Sequence, residues 1–145
     1  MTAPAYLGKQ SIRNVAEAFV RDPNQFHFTK SHEWLSSDGT VGISDHAQKE
    51  ITDVVFVELP KVGKEFKAGE PVAVVESVKA AFDIYAPVSG KVTKVNGDVS
   101  KNPAVVNQSP YENGWLFVIE KTDPAEEKKL MSHADYKHFL ESDEH

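Results

Sequence analysis

The run Pro71-Val-Ala-Val-Val-Glu-Ser-Val-Lys-Ala-Ala-Phe-Asp-Ile-Tyr-Ala-Pro87 places one lysine amine where it could serve as an attachment point. Two stretches rich in β-branched and aromatic residues flank Ser77-Val78-Lys79-Ala80, and a proline closes each outer end. Such runs across a short gap predict a β-hairpin with Lys79 at its tip. The tip lacks the Gly, Asn or Asp that a tight two-residue turn ordinarily uses. A lone hairpin lysine is ordinarily a solvated charge, but this setting suits another task. A long flexible amine on a rigid tip is what an attached swinging cofactor needs, because a group carrier must reach several active sites. Glu76, Val78 and Ala80 surround the lysine and offer an attaching enzyme a short string to read.

Elements that could hold such a tip are legible on both sides of it. Residues 26–29 and 33–36 read as short strands, and Asp38-Gly39 turns the chain into a third over 40–43. Asp45-x-x-Gln48 resembles a capping box and predicts a short helix from about His46 to Ile51. Residues 53–59 form the strongest strand pattern, stopped by Pro60, and turns around Gly63 and Gly69 lead through 64–66 to the hairpin. Alternation along Phe82, Ile84 and Ala86 predicts an inward face, leaving Ala81, Asp83 and Tyr85 on the other. Beyond it, 91–95 reads as a strand, Asn96-Gly97 as a reversal, 98–113 as a loop and 114–120 as a final strand. Asp123, Pro124 and Glu126 stand in register as cap, first-turn proline and reciprocal acid for a helix over 124–131, and Ser132 caps a second over 133–141. Many short strands with frequent turns imply a mainly β fold, an antiparallel sandwich or small barrel covered on one side by C-terminal helices.

Composition removes whole classes of function. The chain has 145 residues, enough for one domain with its own core, and a formal net charge of -6. An acidic chain without a basic patch is repelled by nucleic acid, and no stretch approaches the roughly 20 apolar residues of a membrane span. With no cysteine, disulfides, thiolate metal sites and cysteine nucleophiles are excluded. The six histidines are dispersed without metal-ligand spacing, so no metal is expected. No nucleophile elbow, phosphate loop or dinucleotide fingerprint occurs, which argues against a self-sufficient enzyme. Residues 1–25 stand apart: Ile12, Val15, Ala16, Phe19 and Val20 recur at helical spacing with Lys9, Arg13 and Arg21 among them. That pattern suits an organelle-targeting segment or an ordinary surface helix, with Glu17 and Asp22 weakening the first reading.

Taken together, these strings resemble the H protein family of the glycine cleavage system. They are Ser31-His-Glu-Trp34, Val41-Gly-Ile43, Asp45-His-Ala-Gln48, Val54-Val-Phe-Val-Glu-Leu-Pro60, Glu76-Ser-Val-Lys-Ala80 and Asp83-Ile-Tyr-Ala-Pro-Val-Ser-Gly90. Asn102-Pro103, Val106-Asn107, Ser109-Pro-Tyr111 and Gly114-Trp-Leu116 extend the match, in order, over about residues 26–140. The resemblance implies an N-terminal arm over 1–25 and, over 26–145, a flattened barrel-sandwich of lipoyl-domain type. It implies a short internal helix and C-terminal helices, and lipoate joined to Lys79 by an amide bond.

The family is a carrier rather than an enzyme. It takes an aminomethyl group from a pyridoxal-phosphate glycine decarboxylase and delivers it to an aminomethyltransferase that charges tetrahydrofolate. A flavin-containing dihydrolipoyl dehydrogenase then reoxidises it. A lipoyl-attaching enzyme is a further implied partner; nucleic acid and membrane are not. The same resemblance assigns shielding of the cargo to Ser31, Glu33 and Asp83, with His32 and His46 in the same motifs. The implied location is a mitochondrial or related organelle matrix, or else a bacterial cytoplasm.

One departure stands out: the family carries a Leu-Gly-Asp type string where this chain has Ile51-Thr52-Asp53, and glycine there suggests a special backbone angle. A lipoyl module of a 2-oxo acid dehydrogenase would have Asp-Lys-Ala at the tip and a flexible linker. A biotin carrier would have Met on both sides of the lysine. An H-like protein that passes lipoate to other enzymes would share all of these strings.

Overall fold

The computed structural model describes residues 22–142, so the expected N-terminal helix lies outside the described residues. Ten strands form: β1 His27–Phe28, β2 Glu33–Leu35, β3 Thr40–Ile43, β4 Val54–Glu58, β5 Glu65–Phe66, β6 Pro71–Ser77, β7 Ala81–Tyr85, β8 Gly90–Val95, β9 Phe117–Lys121 and β10 Met131–Ser132, the last of these where a helix end was expected. Four short helices interrupt them: α1 Asp45–Ile51, α2 Gly97–Lys101, α3 Val105–Gln108 and α4 His133–Glu141. All strand pairs are antiparallel, in a seven-stranded sheet ordered β10-β1-β2-β3-β9-β8-β5 and a three-stranded sheet ordered β4-β6-β7. The two sheets do not close into a barrel. Among the described residues no helix is long and apolar enough to cross a membrane.

Period-two alternation decides which side chains are buried along β7 and the start of β8, whereas β2 and β3 are buried at every position. Leu35, Val41, Ile43, Val57, Val75, Ile84, Val92 and Ile119 come from both sheets and meet in one core. Phe82, Ile84 and Ala86 turn inward as the alternation predicts, and Ala81 and Asp83 are exposed. A second cluster is aromatic. Phe26 stacks on Trp34 and Phe28 on Tyr136, each at 4.4 Å between ring centroids, which fastens α4 to the outside of β1 and β2. Trp34 also needs a close neighbour without a side chain, since a Cβ on Gly42 would lie 2.7 Å from its indole.

Helix ends are where expectation and structure part. The cap of α1 is Ser44, whose hydroxyl accepts from the Ala47 amide, while Asp45 is the first helical residue and accepts from the Gln48 side chain. The expected loop over 98–113 folds into α2 and α3, because Val99 and Val106 are fully buried and buried backbone must find partners. Asn96 accordingly caps α2 instead of making a hairpin reversal, and its amide donates to the Asn113 and Trp115 carbonyls. The final strand starts at Phe117, three residues later than expected, because Gly114 closes a turn onto the Ser109 carbonyl. Residues Pro124–Lys129 form a 3₁₀ helix and not an α-helix. Glu126 does not reach back to complete a capping box; its carboxylate accepts from the amide and hydroxyl of Ser89. Ser132 caps α4 as expected, accepting from the Asp135 amide.

Thr52, at the position where the resemblance implies glycine, leaves α1 with φ 69 and ψ -154. That region is essentially reserved for glycine, and a β-branched residue held there stores roughly 1–3 kcal/mol of strain. Asn107 fastens the distortion in place: its amide donates to the Thr52 carbonyl at 2.8 Å and its oxygen accepts from the Val54 amide at 2.9 Å. Thr52→Gly should therefore stabilise the protein by about 1 kcal/mol, after allowing for the extra backbone entropy of glycine. The urea midpoint should rise with unchanged slope; an unchanged or lower midpoint would show that threonine is not strained here.

Candidate functional site

Strands β6 and β7 pair tightly up to the tip, with Val75 opposite Phe82 and Glu76 opposite Ala81. The Ser77 amide donates to the Ala80 carbonyl at 2.8 Å and closes the turn. The Ser77 hydroxyl then accepts from the amides of Lys79 and Ala80, at 3.0 and 3.2 Å, and lies 3.3 Å from the Ala80 carbonyl. No residue of the tip has positive φ. Serine thus replaces the expected glycine by a different device, capping the turn's amides with its own side chain.

The tip is also tied to its surroundings. The Val78 amide donates to the Asp53 carbonyl at 3.2 Å, and the Lys79 ammonium rests 3.3 Å from the Glu50 carbonyl. Lys79 and Ala80 are exposed and Glu76 is half-buried. Val78 is 72% exposed, and a register shift in β4 turns both Val55 and Phe56 outward at 54% and 49%. Phe56 lies opposite Glu76 in the β4–β6 pairing, so the three-stranded sheet carries an exposed apolar surface leading to the lysine. Alternation alone could not reveal this, because a bulge breaks the period.

Glu33 is 1% exposed yet fully engaged. Its Oε1 accepts from the hydroxyls of Thr29 and Ser31, the latter at 2.6 Å, and its Oε2 accepts from the Tyr85 amide at 3.0 Å. A buried carboxylate is tolerated when such donors replace its water. Thr29, Ser31, Glu33, Gly69, Tyr85, Ala86 and Pro87 line an open cleft of about 360 Å³. Ser31 and Glu33 therefore come together as expected. Asp83 is not in the cleft lining; it stands exposed on the outer face of β7, two residues before Tyr85. That strand runs from the Lys79 tip towards the cleft, roughly 13 Å from Ala81 to Tyr85 at about 3.3 Å per residue. Thr29 is the residue that motif reading missed; a hydroxyl four residues before an inward-facing glutamate was the available signal.

His32 and His46 also meet, their rings 4.9 Å apart. Antiparallel pairing of β2 and β3 makes this possible, because the Ser44 amide donates to the His32 carbonyl at 2.9 Å and α1 starts at once. His32 has φ 77, and its Nδ1 lies 2.7 Å from the Tyr136 hydroxyl, which is also 2.7 Å from the Ser44 hydroxyl. Burial pushes the Tyr136 phenol far above its ordinary range, Tyr111, Glu33 and Glu50 act in the same direction, and the Ser44 hydrogen bond opposes them. The phenol stays neutral and holds the histidine in place.

Comparison with known proteins shows what the chain resembles as a whole. The family model described as Glycine cleavage H-protein matches residues 26–143. A glycine cleavage system H protein of Deinococcus radiodurans is 60% identical over 114 residues, covering 79% of this chain and 92% of that protein. Another, from Endomicrobium trichonymphae, is 55% identical over 121 residues, covering 81% and 98%. The crystal structure of a glycine cleavage system H protein from Mycobacterium marinum superposes with a TM-score of 0.76 at 33% identity, covering 83% of this chain and 100% of that one. The chain belongs to the glycine cleavage H-protein family.

Proposed function

We propose that Lys79 carries lipoate in amide linkage and that this protein is the carrier subunit of a glycine cleavage system. The observation that supports the reading best is the exposed Lys79 amine on a turn organised by Ser77. The tip fits the group: the amine is accessible, its anchoring backbone is rigid, and the outer face of β7 offers a track away from it. When attached, lipoate supplies a disulfide that takes up, carries and releases a one-carbon amine.

This chain's residues position and shelter that chemistry. Ser77 presents the amine, while Glu76, Val78 and Ala80 form the string read by a lipoyl-attaching enzyme. In the proposed shielding, Glu33 and Ser31 hold an ammonium through charge-assisted hydrogen bonds and Asp83 lends a second carboxylate at the cleft's approach. The partners in turn are a glycine decarboxylase, an aminomethyltransferase and a dihydrolipoyl dehydrogenase. An organelle matrix and a bacterial cytoplasm suit the same chemistry. The basic residues 1–25 favour the first and the bacterial relatives the second. Import of a reporter fused to residues 1–25 into isolated mitochondria separates them.

Intact mass and peptide mapping of protein made in a lipoylating host should find one lipoyl group, on Lys79; its absence there would overturn the carrier reading. Ser77→Ala should cost about 1 kcal/mol of stability and slow lipoylation several-fold, as the tip loses its internal cap. Ser77→Asn, which can form the equivalent turn, should restore the rate; equal rates for all three proteins would remove Ser77 from presentation. Glu33→Gln keeps the shape and removes the charge, so loaded carrier should lose its aminomethyl group to hydrolysis, as ammonia and formaldehyde, several-fold faster. Unchanged decay would exclude Glu33 from shielding.

A further inference from the structure

We propose that His32, His46 and Glu50 form a divalent transition-metal site, best suited to zinc, beside α1, the helix whose Glu50 carbonyl meets the Lys79 ammonium. One ligand atom from each of the three lies within 4.8 Å of the other two. His46 Nε2 and Glu50 Oε2 are already 3.4 Å apart. Two ligands at about 2.0 Å from a tetrahedral metal stand roughly 3.3 Å from each other, so this pair needs almost no adjustment. Residues 46 and 50 are one helical turn apart, which puts both on one face of α1.

The third donor is held by an outer contact. Tyr136 engages His32 Nδ1 at 2.7 Å; with Nδ1–H donating to the phenol oxygen, Nε2 is the nitrogen that would take the metal, and such a hydrogen bond orients a ligating imidazole. Two imidazoles and one carboxylate suit zinc and leave the fourth position for water or another ligand. Glu50, whose side chain is 63% exposed, provides the entry path.

Lys79 sets the electrostatics of the site. Its ammonium rests on the backbone carbonyl of Glu50, one of the three ligating residues, and repels a metal cation. An amide at that nitrogen removes the charge. On the reading that Lys79 is lipoylated, modification therefore strengthens metal binding, although the site itself exists without it.

Competition against a chromophoric zinc chelator tests the proposal on protein with unmodified Lys79, where no dithiol can contribute. One zinc per chain is expected. His46→Gln and Glu50→Gln, checked for folding by circular dichroism, should each abolish competition. Tyr136→Phe should weaken it about ten-fold, whereas His138→Gln, in exposed surface outside the cluster, should leave it unchanged. Lys79→Gln should bind more tightly than the unmodified parent. Zinc binding no tighter in the parent than in a His46→Gln, Glu50→Gln double variant would overturn the site. That result would not touch the carrier reading, which rests on the mass of Lys79.

Discussion

The interaction on which the rest depends is the capping of the hairpin tip by the Ser77 hydroxyl. Four residues must reverse a strand without a glycine, and one side chain satisfies two amides that the turn would otherwise leave to solvent. The consequence is mechanical. The lysine projects from a defined backbone, and a long side chain on a defined backbone sweeps a defined volume. Two further contacts, from the Val78 amide to the Asp53 carbonyl and from the Lys79 side-chain ammonium to the Glu50 carbonyl, tie that tip to the exit of α1.

The exit of α1 is itself under tension. Thr52 and His32 are the non-glycine residues with positive φ among those described, and they lie on either side of α1. Each is held by partners from distant sequence: Asn107 clamps Thr52, and Tyr136 clamps His32. Strain of this kind persists only where surrounding packing over-determines the backbone. Here the packing comes from α3 and α4, so the C-terminal half of the chain shapes the ground on which the tip stands.

Glu33 illustrates a different constraint. A carboxylate at 1% exposure loses its hydration, and the loss is offset by hydroxyl donors from the turn between β1 and β2 and an amide donor from β7. Its hydrogen-bonded carboxyl group forms part of the floor of an open cleft. Because Tyr85 supplies one of its donors, the floor is coupled to β7, the strand that leaves the tip. The Lys79 tip and the cleft lie at opposite ends of one strand.

Much of this was open to reading along the chain. Local alternation identifies most strands and the inward face of β7, because burial on one side of a pleat imposes a period of two within a few residues. Ser132 announces α4 for a similarly local reason, and the Lys79 string needs no fold to be conspicuous. Elsewhere local signals misled: Asp45 looked like a cap and Asn96 like a hairpin turn, because short polar side chains serve caps and turns alike. The sequence by itself determined the strands, the lysine and the family motifs. Tertiary structure alone decided that Ser31 and Glu33 share a cleft while Asp83 stands outside it. It also decided that Val55 and Phe56 both face solvent, and that His32, His46 and Glu50 meet. The physical reason is that bulges, strand register and the docking of distant helices set these distances, and none of them leaves a periodic trace in neighbouring residues.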